Sequence, residues 1–308
     1  MSRPRVVVMG SANMDLVVTT DALPKPGETV FGTDFVMVAG GKGANQAIAA
    51  TRAGADGALL GAIGSDSFGV TLKARISAAG VDTERVRVVY GASGVAVVTV
   101  DAEGENTIVV TPAANSAFTG LTEGELTAVR EADVLVAQLE IPVGTVAEAA
   151  RAARSAGTRV VLNAAPAQPV PVELLDSVDL LVVNEAEARA ITGCGREDPA
   201  ALLAVVPRAV LTLGRHGAWY GDRDGTAVHV PAVKVDLVDS TGAGDAFTGA
   251  LAVAWGEGRE PVDAVRWASA AGAACARRLG ASVSLPLRAE IDALYVPAGG
   301  DAGSVPAS

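Results

Sequence analysis

"ADVLVAQLE" (residues 132–140), "VAEAARAARSAG" (146–157), "RVVLNAAP" (159–166) and "DLLVVNEAEARAITG" (179–193) follow one another in a repeating rhythm. Each short Val/Leu run reads as a buried strand, and each Ala-rich run with helical spacing reads as a helix. "RAVLTLG" (208–214) adds one more strand. Such alternation predicts right-handed βαβ units: a mostly parallel sheet with helices on both faces.

Towards the amino terminus, "RVVVMG" (5–10) and "ALLGAIG" (58–64) read as strands, and "GANQAIAATRAGA" (43–55) and "FGVTLKARISAAG" (68–80) as helices. Three extended stretches break the rhythm, "TVFGTDFVMV" (29–38), "GVAVVTVD" (94–101) and "NTIVV" (106–110), with no helix between neighbours. They predict a small separate β-sheet, a lid drawn from about residues 12–38 and 86–111. Towards the carboxyl terminus, Ala and Gly at helical spacing in 241–258 and 263–280 predict two tightly packed helices. The expected architecture is a three-layer α/β/α, Rossmann-like single domain over 1–297 with a small β-sheet lid, and a disordered tail at 298–308.

Composition narrows the function. Half of the 308 residues are hydrophobic, enough for a sizeable core, and the net charge is -11 with no Lys/Arg-rich block. Nucleic acid is excluded as a main partner, because neutralising phosphates needs basic clusters. Cys194 and Cys275 cannot make a disulfide framework and match no metal spacing, so both read as thiols in a reducing compartment. The apolar run near the start is too short for a signal peptide, and no stretch approaches a membrane span. A cytoplasmic protein with no membrane partner is expected.

Two glycine-rich stretches carry the chemistry. "VAGGKGANQAIAA" (38–50) places Gly41 and Lys42 at a predicted helix start but is no P-loop. That pattern needs Ser or Thr after the lysine and a glycine five residues before Gly41, and the chain has Gly43 and Val36. "VDSTGAGDAFTGALAVA" (238–254) is a glycine-rich turn leading into an apolar helix, which offers free N–H groups to an anion. It lacks a dinucleotide fingerprint, since Gly242 and Gly244 are followed by Asp245, Ala246 and Phe247. Asp245 either caps the helix or takes a hydroxyl proton while a phosphoryl group is in transit.

"GGKGANQA" and "DSTGAGDAFTGAL" together resemble the two signatures of the PfkB carbohydrate kinase family, and "GSANMDL", "PKPGET", "QLEIP", "LNAAPA", "NEAEA" and "TLGRHG" fit that family in order and spacing. The resemblance runs from about residue 5 to about residue 295. It implies ATP-dependent phosphorylation of a sugar, with D-ribose at its 5-hydroxyl favoured. The alternatives are a sibling kinase for deoxyribose, fructose or adenosine, or a non-catalytic sugar-binding regulator. On the sugar side it implies Asn13, Asp15, Gly41, Lys42, Asn45 and Glu140, with Asp245 as base and Gly242, Ala243 and Gly244 completing the anion hole. On the ATP side it implies Asn184, Thr212, Leu213, Gly214, Arg215, His216, Gly217 and Gly244. Ser269 stands where relatives often carry a histidine near the adenine, which leaves that contact open. Magnesium is implied near Glu187, through water, and potassium in a loop of Asp239, Thr241, Gly280 and Ser284. His229 reads as structural. Dimerisation through the lid is the expected assembly.

Overall fold

The computed structural model describes residues 3–193 and 199–297; Cys194 and the tail at 298–308 lie outside the described residues. Among the described residues thirteen strands run in chain order: β1 (Arg5–Met9), β2 (Asn13–Thr20), β3 (Gly32–Gly40), β4 (Asp56–Gly64), β5 (Val86–Val89), β6 (Gly94–Val100), β7 (Asn106–Thr111), β8 (Val134–Ala137), β9 (Arg159–Asn163), β10 (Leu180–Asn184), β11 (Arg208–Thr212), β12 (Ala218–Asp222) and β13 (Ala227–Val230). The helices are α1 (Lys42–Ala53), α2 (Ser67–Ala78), α3 (Glu123–Arg130), α4 (Val143–Ala156), α5 (Val172–Leu175), α6 (Glu185–Thr192), α7 (Pro199–Val205), α8 (Ala243–Gly256), α9 (Pro261–Cys275) and α10 (Arg288–Leu294).

The large sheet has nine strands in the order β13-β12-β11-β10-β9-β8-β1-β4-β5. Pairing is parallel from β5 to β11, and β12 and β13 add an antiparallel edge. Because successive side chains point to opposite faces, β1 sends Val6 and Val8 into one core and Val7 and Met9 into the other. Helices cover both cores, so the central strands need continuous apolar runs rather than alternation.

Helix α8 packs against α1 and α9. Its contact with α1 is very close: a Cβ at Gly249 would lie 2.6 Å from the Ala49 methyl carbon and 2.8 Å from the Ala50 nitrogen. Small residues therefore hold the two helices that frame the site at a fixed separation.

The small sheet has the order β3-β2-β6-β7, with β2–β3 and β6–β7 antiparallel and β2–β6 parallel. The stretch 86–89, expected within the lid, is instead β5 and pairs with Gly61–Gly64 at the edge of the large sheet. Only Tyr90–Ser93 separate it from β6, so the sequence reads as one extended region although the chain changes sheets there. Consecutive residues Phe35, Val36 and Met37 are all exposed, as are Ile108, Val109 and Val110. With a side-chain period of two, both faces of the small sheet are therefore open at this end.

Candidate active site

The chain passes from β1 to β2 through Gly10–Ala12, at the carboxyl end of a parallel strand where open α/β sheets gather ligands. α1 begins against this corner. A Cβ on Gly43 would sit 2.4 Å from the Gly10 carbonyl carbon, so the position that breaks the P-loop pattern is one where a side chain has no room. The Ser11 hydroxyl donates to Glu140 Oε2 at 2.5 Å, and the Lys42 backbone N–H donates to the same oxygen at 3.1 Å. Glu140 is thereby tied to both the strand corner and the helix start.

Asn13 is buried, and its Oδ1 accepts from Asn115 Nδ2 at 2.7 Å. Asn115 is itself held by the Ala12 N–H, which donates to its Oδ1 at 3.0 Å. Since Asn13 Oδ1 is engaged, its Nδ2 donor is the end left for a ligand. Asp15 follows two residues on and so faces the same way. Burial, reinforced by the negative charges of Glu140 and Asp245, lifts its carboxyl from 3.8 to about 7. For Lys42, burial alone would lower the ammonium pKa, but the fields of Asp245, Glu140 and Glu187 outweigh it and raise the value. One cation thus serves three carboxylates drawn from separate parts of the chain.

α8 starts at Ala243 with Gly242 as its N-cap at φ 80°, and no side chain caps it. Asp245 is not a helix cap. Its Oδ2 accepts from Asn45 Nδ2 at 3.0 Å and its Oδ1 from Gln46 Nε2 at 2.9 Å. Gln46 also donates to Asn163 Oδ1 at 2.9 Å and accepts from Gln138 Nε2 at 2.6 Å. Asn163 in turn donates to the Val182 carbonyl at 3.2 Å. Burial raises the Asp245 pKa and Glu140 adds to the rise; Lys42, Gln46 and Asn45 oppose it without cancelling it.

The Ala243 N–H is taken by the Ser240 carbonyl at 3.1 Å, which removes it from the expected anion-hole donors. Gly242, Gly244 and Asp245 have no backbone N–H partner among the described residues. A Cβ on Gly244 would meet nothing within 4 Å, so the space beside Gly244 is open. Free N–H groups, a helix amino terminus and a buried carboxylate one residue away suit an anion whose neighbour must lose a proton.

Asn184 and Glu187 form a capping box at the start of α6. The Glu187 N–H donates to Asn184 Oδ1 at 2.9 Å, and the Asn184 N–H and Nδ2 donate to the two Glu187 oxygens at 2.8 and 3.0 Å. Glu187 is buried rather than an exposed helix residue, and burial lifts its carboxyl despite the Asn184 N–H and Lys42. Thr212 ends β11 and donates its hydroxyl to the Val183 carbonyl at 3.2 Å. Leu213 and Gly217 close a tight loop around Gly214, Arg215 and His216, with the Leu213 N–H donating to the Gly217 carbonyl at 2.8 Å. The His216 carbonyl lies 2.8 Å from His229 Nε2, which gives His229 a structural task. Ser269 turns its hydroxyl back onto the Val265 carbonyl of its own helix at 2.9 Å.

Asp239 organises the loop before α8. Its Oδ1 accepts from the Thr241 N–H and hydroxyl at 2.9 and 2.7 Å, and its Oδ2 from the Gly280 N–H at 2.9 Å. Burial pushes its pKa up, but these bonds prevail and hold it below the usual carboxylate range. Ser284 is buried, with its hydroxyl donating to the Ala281 carbonyl at 2.8 Å and lying 3.0 Å from Cys275 Sγ. A separate groove of about 550 Å³, lined by Arg154, Arg159, Arg208 and Trp255 among others, shares no residue with this constellation.

The sequence reading missed Ser11, Gln46, Asn115, Gln138 and Asn163. Four of the five lie inside fragments that carry the family resemblance, but none had a role there.

Buried amides and carboxylates gather beside the uncapped start of α8, an arrangement that suits phosphoryl transfer to a small molecule. Residues 3–288 match the model of the pfkB family carbohydrate kinases, and the chain belongs to that family. It is 39% identical over 294 residues to the ribokinase of Bacillus subtilis (strain 168), covering 94% of this chain and 98% of that one. The structure of Arabidopsis thaliana ribokinase complexed with ribose and ATP superposes with a TM-score of 0.89 at 33% identity, covering 95% of this chain and 99% of that one. The ribokinase of Thermotoga maritima superposes at 0.85 with 32% identity, covering 94% and 99%.

Proposed function

We propose that the chain transfers the γ-phosphoryl group of ATP to the 5-hydroxyl of D-ribose, giving ribose 5-phosphate and ADP. The observation that carries this reading is Asp245: a buried carboxylate one residue from an open glycine anion hole, held by Asn45 of the sugar-side helix. Asn13 Nδ2, Asp15, Asn45 and Glu140 bind the ring hydroxyls, and Lys42 balances the carboxylates around them. Asp245 takes the 5-hydroxyl proton as the oxygen attacks. The Gly242, Gly244 and Asp245 N–H groups stabilise charge on the phosphoryl group in flight. The small sheet serves as a lid that excludes water from the transfer.

Glu187 fits a magnesium ion carried on the ATP phosphates. Asn184 engages one lone pair on each of its oxygens, which leaves others to accept from metal-bound water. Magnesium bound there neutralises phosphate charge. For potassium, the Asp239 carboxylate supplies negative charge and ties its loop to Gly280, so backbone carbonyls of the loop are the fitting ligands. Ser284 contributes through its carbonyl, because its hydroxyl is committed to Ala281. Exposed apolar residues on both faces of the small sheet and its two free edges support a homodimer formed through the lid. Dependence on ATP and the free Cys275 thiol support a cytoplasmic location.

The test is ADP release with ATP and magnesium over a panel of ribose, 2-deoxyribose, fructose and adenosine, with and without potassium. Ribose is expected to give the highest kcat/KM. A higher value for another acceptor would move the assignment to a sibling kinase.

A further inference from the structure

Asp245 is buried, yet to take a proton it must stay ionised until the sugar hydroxyl arrives. Its charged surroundings are mixed: Lys42 on α1 favours the ionised form, whereas Glu140 after β8, Asp15 on β2 and Glu187 on α6 oppose it, and the Cys275 thiol lies within its field. Two side-chain amides make direct contact, Asn45 and Gln46, and they differ in one respect. Asn45 Oδ1 has no partner, so nothing on that side fixes which end of the amide faces the carboxylate. Gln46 is bound on every side.

The direction of the Gln46 amide follows from acceptors that cannot donate. The Val182 carbonyl only accepts, so Asn163 must turn its Nδ2 towards it and its Oδ1 towards Gln46. Gln46 must then offer its Nε2, and the same nitrogen reaches Asp245 Oδ1. Gln46 Oε1 is left facing Gln138, whose amide donates to it. Gln46 and Gln138 are fully buried, so no water can substitute for a reversed amide. A proton on Asp245 Oδ1 would face the Gln46 N–H, and a neutral carboxyl accepts from that N–H less strongly than a carboxylate does.

We infer that Gln46 is a positioning residue for the phosphoryl transfer: oriented by Asn163, it presents an N–H that keeps Asp245 ionised and aimed until the acceptor hydroxyl donates. This rests on the proposed function insofar as Asp245 is the base. A hydrogen bond to the charged form of an acid lowers its pKa, so loss of the Gln46 donor should raise it. Among the described residues the Gln138 side chain hydrogen-bonds only to Gln46, and its own Oε1 is unpaired and lies against Gly10. It completes the network without setting its direction.

The experiment is kcat and KM against pH for the native protein, Gln46→Met, Asn163→Ala and Gln138→Met, each checked for folding by circular dichroism. The native protein is assayed first with the sugar panel, so that absent ribose activity would count against the proposed function and not against this inference. Gln46→Met should lower kcat about tenfold or more, leave the sugar KM within about threefold, and move the acidic limb of kcat to higher pH. Asn163→Ala should act in the same direction and less strongly, and it carries the test if Gln46→Met does not fold. Gln138→Met removes the partner of Gln46 Oε1 and should lower kcat less than Asn163→Ala does, with its acidic limb in place. Folded Gln46 and Asn163 variants with native kcat and an unmoved limb would overturn the inference, as would an effect confined to KM. A loss as deep in Gln138→Met as in Gln46→Met would overturn the role given to Asn163.

Discussion

Strand β8, Val-Leu-Val-Ala, is buried at every residue, whereas strand β7, Asn-Thr-Ile-Val-Val-Thr, is exposed at every residue. Both are short runs rich in branched apolar side chains. In the large sheet such a run is covered by helices on two sides, and its burial drives folding. In the small sheet the same kind of run stays exposed, so its side chains add little to folding within the chain. An apolar run thus marks a surface fit for covering, not what covers it.

The deepest effect is expected at the rigid end of this contrast. Asp245→Asn should lower kcat by about 10²–10⁴-fold while the melting temperature and sugar KM stay near native, since the base is lost and the packing kept. Steady-state kinetics and a thermal scan check both halves. Leu135→Ala in β8 removes a fully buried side chain and should cost about 2–5 kcal/mol in urea unfolding. Val109→Ala in β7 should stay within about 0.5 kcal/mol in dilute monomer. Equal costs would mean that the two sheets do not differ as described.

Association sharpens the comparison from the other side. Pairing of Val18 with Phe35, and of Val97 with Val109, puts Phe35 and Val109 on one face of the small sheet. If the proposed dimer forms through the lid, Phe35→Lys with Val109→Lys should weaken it about tenfold or more in sedimentation, because buried lysines would lack partners. The monomer's unfolding free energy should barely change.

The smallest effect concerns pH. If the sugar is bound by ionised Asp15, a carboxyl at about 7 should raise the sugar KM up to about tenfold from pH 8 to pH 6. Asp15→Asn should flatten that dependence. The stability sign runs the other way: with its pKa raised above 3.8 on folding, native Asp15 holds a proton that the unfolded chain releases. Its contribution therefore falls as pH rises from about 4 through about 7. Asp15→Asn should show its largest gain in melting temperature at pH 8 and its smallest near pH 4.

How much of this was legible depended on whether the signal was local. Valine runs spaced by Ala-rich helices marked the parallel sheet, because burial on two faces demands that pattern. β5 was misplaced because Val86–Val89 and Gly94–Val100 are both short Val-rich runs, and only pairing partners distinguish their sheets. Asp245 and Lys42 stood out because glycine-rich turns carry local meaning, whereas Glu140 entered only through the family resemblance. Gln46, Gln138 and Asn163 did not, because the direction of a hydrogen bond between buried amides exists only once α1, β9 and the end of β8 have met. Ala243 was misjudged for a related reason: whether an N–H is free depends on where the Ser240 carbonyl turns.

The corner at Gly10–Ala12 carries one more implication. Of the three residues that lead from the large sheet into β2, Ser11 is anchored to Glu140, and Asn13, a proposed sugar ligand, follows directly. The return from β3 passes through Gly40 and Gly41 directly into Lys42. A swing of the small sheet would flex these two joints along with Tyr90–Ser93. Under the proposed function, substitutions at Asn13 or Lys42 should therefore retune how quickly the enclosure forms as well as which sugar is accepted. Selectivity and turnover frequency would then be mechanically linked traits.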